Sequence, residues 1–313
     1  MNGMDKGKLL ALAVGAIVVI AAPHAVYPVF LMKVLCFALF ACAFNLLLGY
    51  VGLLSFGHAA YFGSAAYITA WSVKAMDFGP LTGIFFGTVF AALLGLVIGW
   101  LAIRRSGIYF AMITLGFAQV VYFLSLQMKF TGGEDGIQGV PRGMLFGAID
   151  LTDTMNMYYF VAVLTLGGIW VVYRAVRSPF GQILKAIREN EPRAVSLGYD
   201  VNRVKLVAFV LSSALAGMAG GTKSLVFQLA SLTDVNWHMS GEVVLMTLLG
   251  GMGTILGPAA GALLVVTLNN YLASFGSWVT IIIGAIFVAC VMSFRRGIVG
   301  EALALKKPWT KGG

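Results

Sequence analysis

Apolar runs of roughly bilayer length recur along the whole chain and are separated by short polar stretches. A run of about 20 apolar residues is long enough for a helix to cross the hydrocarbon core of a membrane. This pattern predicts an all-α, polytopic membrane protein with a single transmembrane domain over residues 1–313. The candidate spans are residues 9–27, 31–48, 53–73, 81–103, 109–128, 157–176, 203–225, 242–273 and 278–294.

The run at 242–273 is too long for one helix and is rich in glycine at its centre. Proline removes a backbone donor and breaks a helical turn, so we divide the run near Gly257 and Pro258, which gives about ten spans. Each half is short for a bilayer of about 30 Å. Interrupted helices are typical of the working region of transporters, because broken backbone at membrane depth needs protein or water to satisfy it.

Composition and charge support the same interpretation. The chain is 60% hydrophobic and 11% charged, whereas soluble domains average about 25% charged residues. With an inner N-terminus and ten crossings, most of the 21 lysine and arginine residues fall on the inner side. The net charge of +9 therefore indicates orientation in a lipid bilayer and not nucleic-acid binding. The run at 9–27 is predicted to be a retained span, with a signal peptide as the weaker alternative.

The longest polar stretch, residues 178–200, contains the residue types that begin and end two short helices. Ser178 can cap the first helix, and Pro179 suits its first position because proline's missing N–H is not needed there. Pro192 begins the second helix, and Gly198 lies where a left-handed stop is expected. The stretch predicts a compact, charged helical knob outside the membrane, suited to contact with another protein. A solvated connector between two spans is equally compatible with the spacing.

Residues for chemistry are scarce. The sequence contains no phosphate-binding glycine loop and no cluster with metal-ligand spacing, so no cofactor is expected. Ionisable groups deep in the spans are nearly lacking, with His58 and Glu242 as the exceptions. A carrier driven by protons or sodium usually needs buried carboxylates, so this scarcity indicates energy supplied from outside the chain. Neutral polar residues such as Asn45 could line a solute path, although such residues more often bond neighbouring helices.

The predicted external loop, residues 129–156, is dense in glycine and carries two adjacent carboxylates, Glu134 and Asp135. Glycine at this density produces tight turns and bare backbone. The carboxylates could face a partner protein or belong to a solvated loop tip.

Four stretches of the chain form a recognisable set. They are NLLLGYVGLLSFGHAAYFGSAAY at 45–67, RRSGIYFAMITLGFAQ at 104–119 with TGGEDGIQGVP at 131–141, the polar stretch at 178–198, and LGGMGTILGPAAG at 249–261. Together they resemble the permease subunits of branched-chain amino acid ABC importers, in which the stretch at 178–198 would be the cytoplasmic coupling segment. The TGGEDG loop and the RENE run resemble the second of the two paired subunits.

The resemblance implies a larger complex in the plasma (inner) membrane of a prokaryote. It implies a sister permease subunit, two ATP-binding cassette subunits that bind and hydrolyse the ATP, and an extracytoplasmic solute-binding protein. The chain itself would not be an enzyme. The implied solute is leucine, isoleucine or valine. The alternatives are urea, a short amide or a small aromatic acid in the same architecture and, more remotely, a secondary carrier acting alone.

The resemblance also implies roles for individual residues. The knob departs from the general coupling pattern Glu-Ala-Ala-x-x-x-Gly, since only Ala194 and Gly198 keep it. Contacts with the ATPase are expected at Gly181, Lys185, Arg188, Glu189, Glu191, Arg193, Ala194 and Gly198. The translocation path is expected at Asn45, Ser55, His58 and Thr114, and contact with the binding protein at Glu134 and Asp135.

Overall fold

The computed structural model describes residues 22–23, 26–145, 147, 149–272, 278–293, 297–299 and 301. Most of the predicted span at 9–27 and all the basic residues after position 294 lie outside the described residues. The helices are α1 (Pro28–Asn45), a π-helix (Leu46–Val51), α2 (His58–Ala75), α3 (Pro80–Ala102), α4 (Ile108–Gln127), a 3-10 turn (Lys129–Thr131), α5 (Thr154–Arg177), α6 (Pro179–Glu189), α7 (Glu191–Ser196), α8 (Val201–Phe227), α9 (Leu232–Val235), α10 (Trp237–Gly250), α11 (Gly257–Leu272) and α12 (Trp278–Ser293).

The helical architecture confirms the predicted all-α, polytopic membrane fold. Five helices of the described chain are long and apolar enough to cross a membrane: α1 with its π-helical end, α3, α4, α5 and α8. The other predicted spans that the structure describes correspond to the shorter helices α2, α10, α11 and α12. Short helices in a membrane bundle need neighbours that cover their ends, and these four contact other helices of the bundle.

The longest helix, α8, is central to the bundle and packs against α1, α2 and α3. Small residues on the facing surfaces let the helices approach closely. A Cβ added to Gly220 would lie 1.9 Å from the carbonyl oxygen of Phe62, and one added to Gly95 would lie 1.9 Å from Ser213 Oγ. The glycines are therefore sites of close helix packing.

Two irregular segments interrupt the helices at one end of the bundle. The π-helix ends at Gly52, which has a φ of 82°, and regular structure resumes at His58. The second segment, residues 251–256, separates α10 from α11 and contains Gly251 and Gly253, both with positive φ. The predicted interruption of the run at 242–273 is therefore confirmed. It lies just before Gly257, so that Pro258 occupies the first turn of α11, where its missing N–H costs nothing.

The two ends of the bundle differ in structure. At one end, called here the loop end, strand β1 (Ile137–Gln138) pairs with β4 (Leu229–Ala230), and β2 (Met144–Leu145) pairs with β3 (Ile149–Asp150) in a hairpin. The other end, called here the coupling end, carries α6 and α7. Helix α8 begins beside α7 and ends at β4, so its 27 residues separate the two ends by about 40 Å.

Candidate functional site

The knob at the coupling end consists of α6 and α7, as predicted. The side chain of Asn190 caps α7 by accepting a hydrogen bond from Arg193 N at 3.0 Å. Gly198 adopts the left-handed conformation with a φ of 87°, as its position in the sequence predicts. The predicted cap by Ser178 is wrong, because its hydroxyl donates to the carbonyl of Ala175 at 2.7 Å and makes no cap bond to α6.

Several residues of the knob attach it to the bundle. Gly181 allows the sharp turn from α5 to α6, since a Cβ there would lie 2.1 Å from Val176 O. Glu191 forms an ion pair of 2.6 Å with Lys205 of α8, whose side chain is almost fully buried. Ala194 is buried in a small cluster between α6 and α8. The knob is therefore tied to both flanking helices, and a displacement of it would be passed to α5 and α8.

The outward surface of the knob contains three apolar residues that sequence reasoning missed. Val195, Leu197 and Tyr199 are 56%, 67% and 43% exposed, and we call them the apolar tip. Glu189 and Arg193 are exposed on the same knob and form no ion pair among the described residues. The available signal was three apolar residues beside Gly198 within an otherwise polar run. Clustered exposed apolar side chains rimmed by charge are typical of a protein contact.

The inner face of the knob contacts the two irregular segments. Arg188 Nη1 donates a hydrogen bond to the carbonyl oxygen of Gly49 in the π-helix. Lys185 Nζ lies 6.0 Å from the ring centroid of Tyr50. A cavity of about 360 Å³ opens between the knob and the bundle here. It is lined by Gly49, Tyr50, Lys185, Arg188, Glu189 and Gly253.

Asn45 joins the same region from inside the bundle. Its side-chain amide donates to Thr254 O at 2.8 Å, and its side-chain oxygen accepts from Gly253 N at 3.0 Å. It is almost fully buried. The structure thus brings Asn45 and Arg188 to one junction, although the sequence placed them in different sites.

Ser55, His58 and Thr114 are also buried and have polar partners within the chain. Ser55 Oγ accepts from Gly57 N at 3.2 Å, and Thr114 Oγ1 accepts from Phe56 N at 3.1 Å. The first bond lies within the irregular segment 52–57, and the second fixes that segment against α4. The ring nitrogen His58 Nε2 lies 2.9 Å from the hydroxyl of Ser212 on α8.

An apolar cleft of about 400 Å³ lies beside segment 52–57, between that segment and the first turns of α4. Ile108 and Met112 stand exposed at its edge. The lining residues are Gly52, Leu53, Leu54, Phe56, Gly107, Ile108, Ala111, Met112 and Leu115. The four predicted path residues are not among the lining residues, although Thr114 bonds to Phe56 in the cleft wall. Their role in translocation stays a prediction.

At the loop end, Glu134 and Asp135 are exposed between the left-handed glycines Gly133 and Gly136. Both carboxylates are accessible to a partner, and their contact with a binding protein stays a prediction. Farther along the same loop, Asp150 accepts a hydrogen bond from Thr152 N at 2.8 Å, which lowers the pKa of that carboxyl.

Two lysines near the ends of α8 add charge to the bundle. Lys205 is buried and Lys223 is mostly buried, but they lie in the first two and the last two turns of the helix and not deep in the span. Lys223 Nζ binds both carboxylate oxygens of Asp234 at 2.8 and 2.7 Å, and the two side chains are only 12% and 2% exposed. Both lysines are paired with carboxylates, which allows them to be buried.

Comparison with known proteins identifies the family. The family model described as branched-chain amino acid transport system / permease component matches residues 28–291. The chain belongs to this permease family. The match includes the π-helix, the knob, both irregular segments and the apolar cleft, so the family region contains the whole candidate site.

The individual relatives are distant in sequence. The high-affinity branched-chain amino acid transport system permease protein LivM of Escherichia coli is 28% identical over 82% of this chain and 65% of that protein. The probable branched-chain amino acid transport permease protein LivM of Methanocaldococcus jannaschii is 27% identical over 70% of this chain and 73% of its own length. The ribose import permease protein RbsC of Bacillus subtilis is 29% identical over 51% of each chain. The chain thus spans slightly less than two thirds of the Escherichia coli relative, and no solved structure matches it.

Proposed function

We propose that this permease is a membrane-spanning subunit of an ATP-driven ABC importer for branched-chain amino acids. It works in the inner membrane of a prokaryote with a sister permease, two ATP-binding cassette subunits and an extracytoplasmic binding protein. The observation that carries the proposal is the knob, which is tied to two long helices and presents the apolar tip outward. The names of the LivM relatives support the amino acid class, whereas the ribose permease matches a smaller share of the chain.

The knob converts movement of an ATPase subunit into movement of the bundle. The apolar tip, with Arg193 close to it in the chain, fits into a groove of the ATPase. When ATP binding closes the ATPase pair, the knob moves with its subunit. The turn at Gly181 and the Lys205–Glu191 ion pair pass the movement to α5 and α8. Because α8 packs against α1, α2 and α3, its tilt changes which side of the path is open.

The apolar cleft forms the inner part of the translocation path. Segment 52–57 is irregular backbone between two helices, and Phe56 bonds to Thr114, which lies nearly two turns into α4. Irregular backbone at membrane depth is tolerated where it is buried in protein or lines a water-filled cavity, and not where it faces lipid. The apolar lining of this cleft suits the side chain of leucine, isoleucine or valine. Ser55 and Thr114 act by fixing the wall, since their hydroxyls are used within it.

The function is tested by replacing Gly198 with valine and measuring uptake in proteoliposomes with the partner subunits. A β-branched residue at a φ of 87° costs about 1–2 kcal/mol. No other atom lies within 4 Å of an added Cβ, so this cost comes from the backbone conformation alone, and its relief distorts the knob. We expect the complex to assemble and ATP-driven leucine uptake to fall several-fold.

Gly198→Asn is the matched control, because asparagine tolerates the left-handed conformation, and its uptake should remain close to wild type. Unchanged uptake in Gly198→Val would mean that the knob is a plain connector. Uptake by the wild-type chain without any ATPase subunit would establish a carrier acting alone. Uptake of urea or a small aromatic acid in place of leucine would show that the importer has a different substrate.

The position of the path is tested by enlarging Met112. Tryptophan at this exposed edge fills the cleft. A poor fit of a substrate in an apolar pocket changes its rate by about tenfold or more. Met112→Trp should therefore reduce leucine uptake by about that factor. Val120→Trp is the control, since Val120 is exposed on α4 outside the cleft. Equal uptake by the two variants would place the path elsewhere.

A further inference from the structure

Three chain interruptions meet at the coupling end, and the side chain of Arg188 lies between them. They are the π-helical end of α1, the break at 251–256 and the C-terminal end of α6. Arg188 Nη1 donates to Gly49 O. A Cβ placed on Gly253 would lie 3.4 Å from Nη1, and one placed on Gly52 would lie 3.1 Å from Arg188 Cγ. The arginine therefore occupies a slot formed by bare backbone on both sides.

The two backbone segments that form the slot are also joined directly. Asn45 holds Gly253 and Thr254 through both atoms of its side-chain amide. A Cβ on Gly49 would lie only 2.6 Å from Gly253 N, so the segments cross in contact. Gly52 and Gly253 both have positive φ, a conformation that favours glycine. The end of α1 and the break between α10 and α11 thus form one unit, and Arg188 is the contact of the knob with it.

The contacts of Arg188 separate it from the other charged residues of the knob. Arg188 and Arg193 are both exposed, but the Arg188 guanidinium is bonded to a backbone carbonyl of the π-helix. A charge-assisted hydrogen bond of this kind is stronger than a neutral one and fixes geometry. Arg188 therefore makes a specific contact within the permease, between the knob and the two irregular segments.

We propose that Arg188 is a positioning residue that links movement of the knob to the two interrupted segments, and so to the inner end of the path. This rests on the proposed function, because the knob must be the element that the ATPase moves. The route through Arg188 is separate from that through α5 and α8. It ends at segment 52–57, which forms one wall of the apolar cleft. Without the Arg188 contact, the knob would still move with the ATPase, but its movement would not reach the wall of the apolar cleft.

The test uses the complete complex in proteoliposomes with Arg188→Met, Arg188→Lys and the control Arg193→Met. Methionine removes the donor and keeps most of the apolar stem, whereas lysine retains one donor for the single bond to Gly49 O. We expect Arg188→Met to keep its ATPase subunits and its ATP hydrolysis within about twofold, while leucine transported per ATP falls about tenfold, the effect of one charge-assisted bond. Arg188→Lys should restore most of that ratio. Arg193→Met should leave it unchanged, with any effect confined to ATPase affinity.

Loss of the ATPase subunits from Arg188→Met would overturn the proposal and make Arg188 a docking contact. A normal ratio of transport to hydrolysis in Arg188→Met would also overturn it. Failure of the proposed function itself would be visible in the wild type, as absence of ATP-driven uptake.

Hydrogen exchange of the wild-type complex gives a second test that needs no variant. Trapping with ATP and vanadate should change exchange at 179–198, 46–57 and 250–257 together. A change confined to 179–198 would contradict the link. In Arg188→Met the change at 46–57 should be lost while that at 179–198 remains.

Discussion

Replacing Gly220 with alanine is expected to lower the thermal unfolding midpoint of the permease by about 10 °C, for a loss of about 3 kcal/mol. The added methyl group would lie 1.9 Å from the carbonyl oxygen of Phe62, which belongs to the backbone of α2 and cannot rotate away. Helices α2 and α8 must therefore separate by roughly 1 Å, which weakens van der Waals contacts along the whole crossing. The midpoint can be measured in detergent by heating and size-exclusion chromatography with fluorescence detection.

Two glycines of a different helix, α5, provide graded controls for this prediction. Gly168→Ala would meet the flexible ends of Leu39 and Met218, so a smaller loss is expected. Gly167→Ala meets no atom within 4 Å and should stay within about 1 kcal/mol of wild type or gain from alanine's helix propensity. An equal midpoint for Gly220→Ala and Gly167→Ala would refute the close α2–α8 crossing.

The break between α10 and α11 was predictable from the sequence, but its contact with the end of α1 was not. The predicted span at 53–73 also placed residues 53–57 in a helix, whereas they are irregular. Gly257 and Pro258 predict a break in a long apolar run because of their backbone chemistry alone. Asn45 is separated from Gly253 by more than 200 residues, and only the fold shows that its amide bonds that break. In sequence, neutral polar residues in apolar runs could line a solute path, although they more often bond neighbouring helices. The structure shows the contact for Asn45, Ser55, His58 and Thr114.

The knob shows the same division between local and distant information. The left-handed Gly198 and the start of each helix follow from local rules for glycine and proline. The contact of Arg188 with the π-helix depends on where α1 ends, which no local pattern encodes. The apolar tip was missed because apolar residues in a short polar run resemble the buried side of an amphipathic helix. Their exposure is a property of the folded knob.

The buried pair Lys223–Asp234 was missed for a related reason. Lys223 lies in the last turns of a long apolar helix, where a lysine can extend to the membrane surface. Asp234 follows after a turn and a strand, in the short helix α9. In the structure Asp234 also accepts weak bonds from Ser231, so one carboxylate fixes both the end of α8 and the start of α9. The pair therefore ties the loop end together.

Replacing Asp234 with asparagine is expected to destabilise the permease by about 3 kcal/mol or more, because it leaves Lys223 charged and buried without a counter-charge. Adding Lys223→Met should recover more than half of this loss, since the double variant buries a neutral pair and asparagine can still accept from Ser231. Asp200→Asn is the matched control. Its partner Arg203 lies 2.8 Å away, but the two side chains are 51% and 86% exposed, and such pairs contribute less than about 1 kcal/mol. Unfolding midpoints of all four variants, with Lys223→Met alone completing the cycle, give the coupling energy. Additive losses in the double variant would show that the two charges do not stabilise each other.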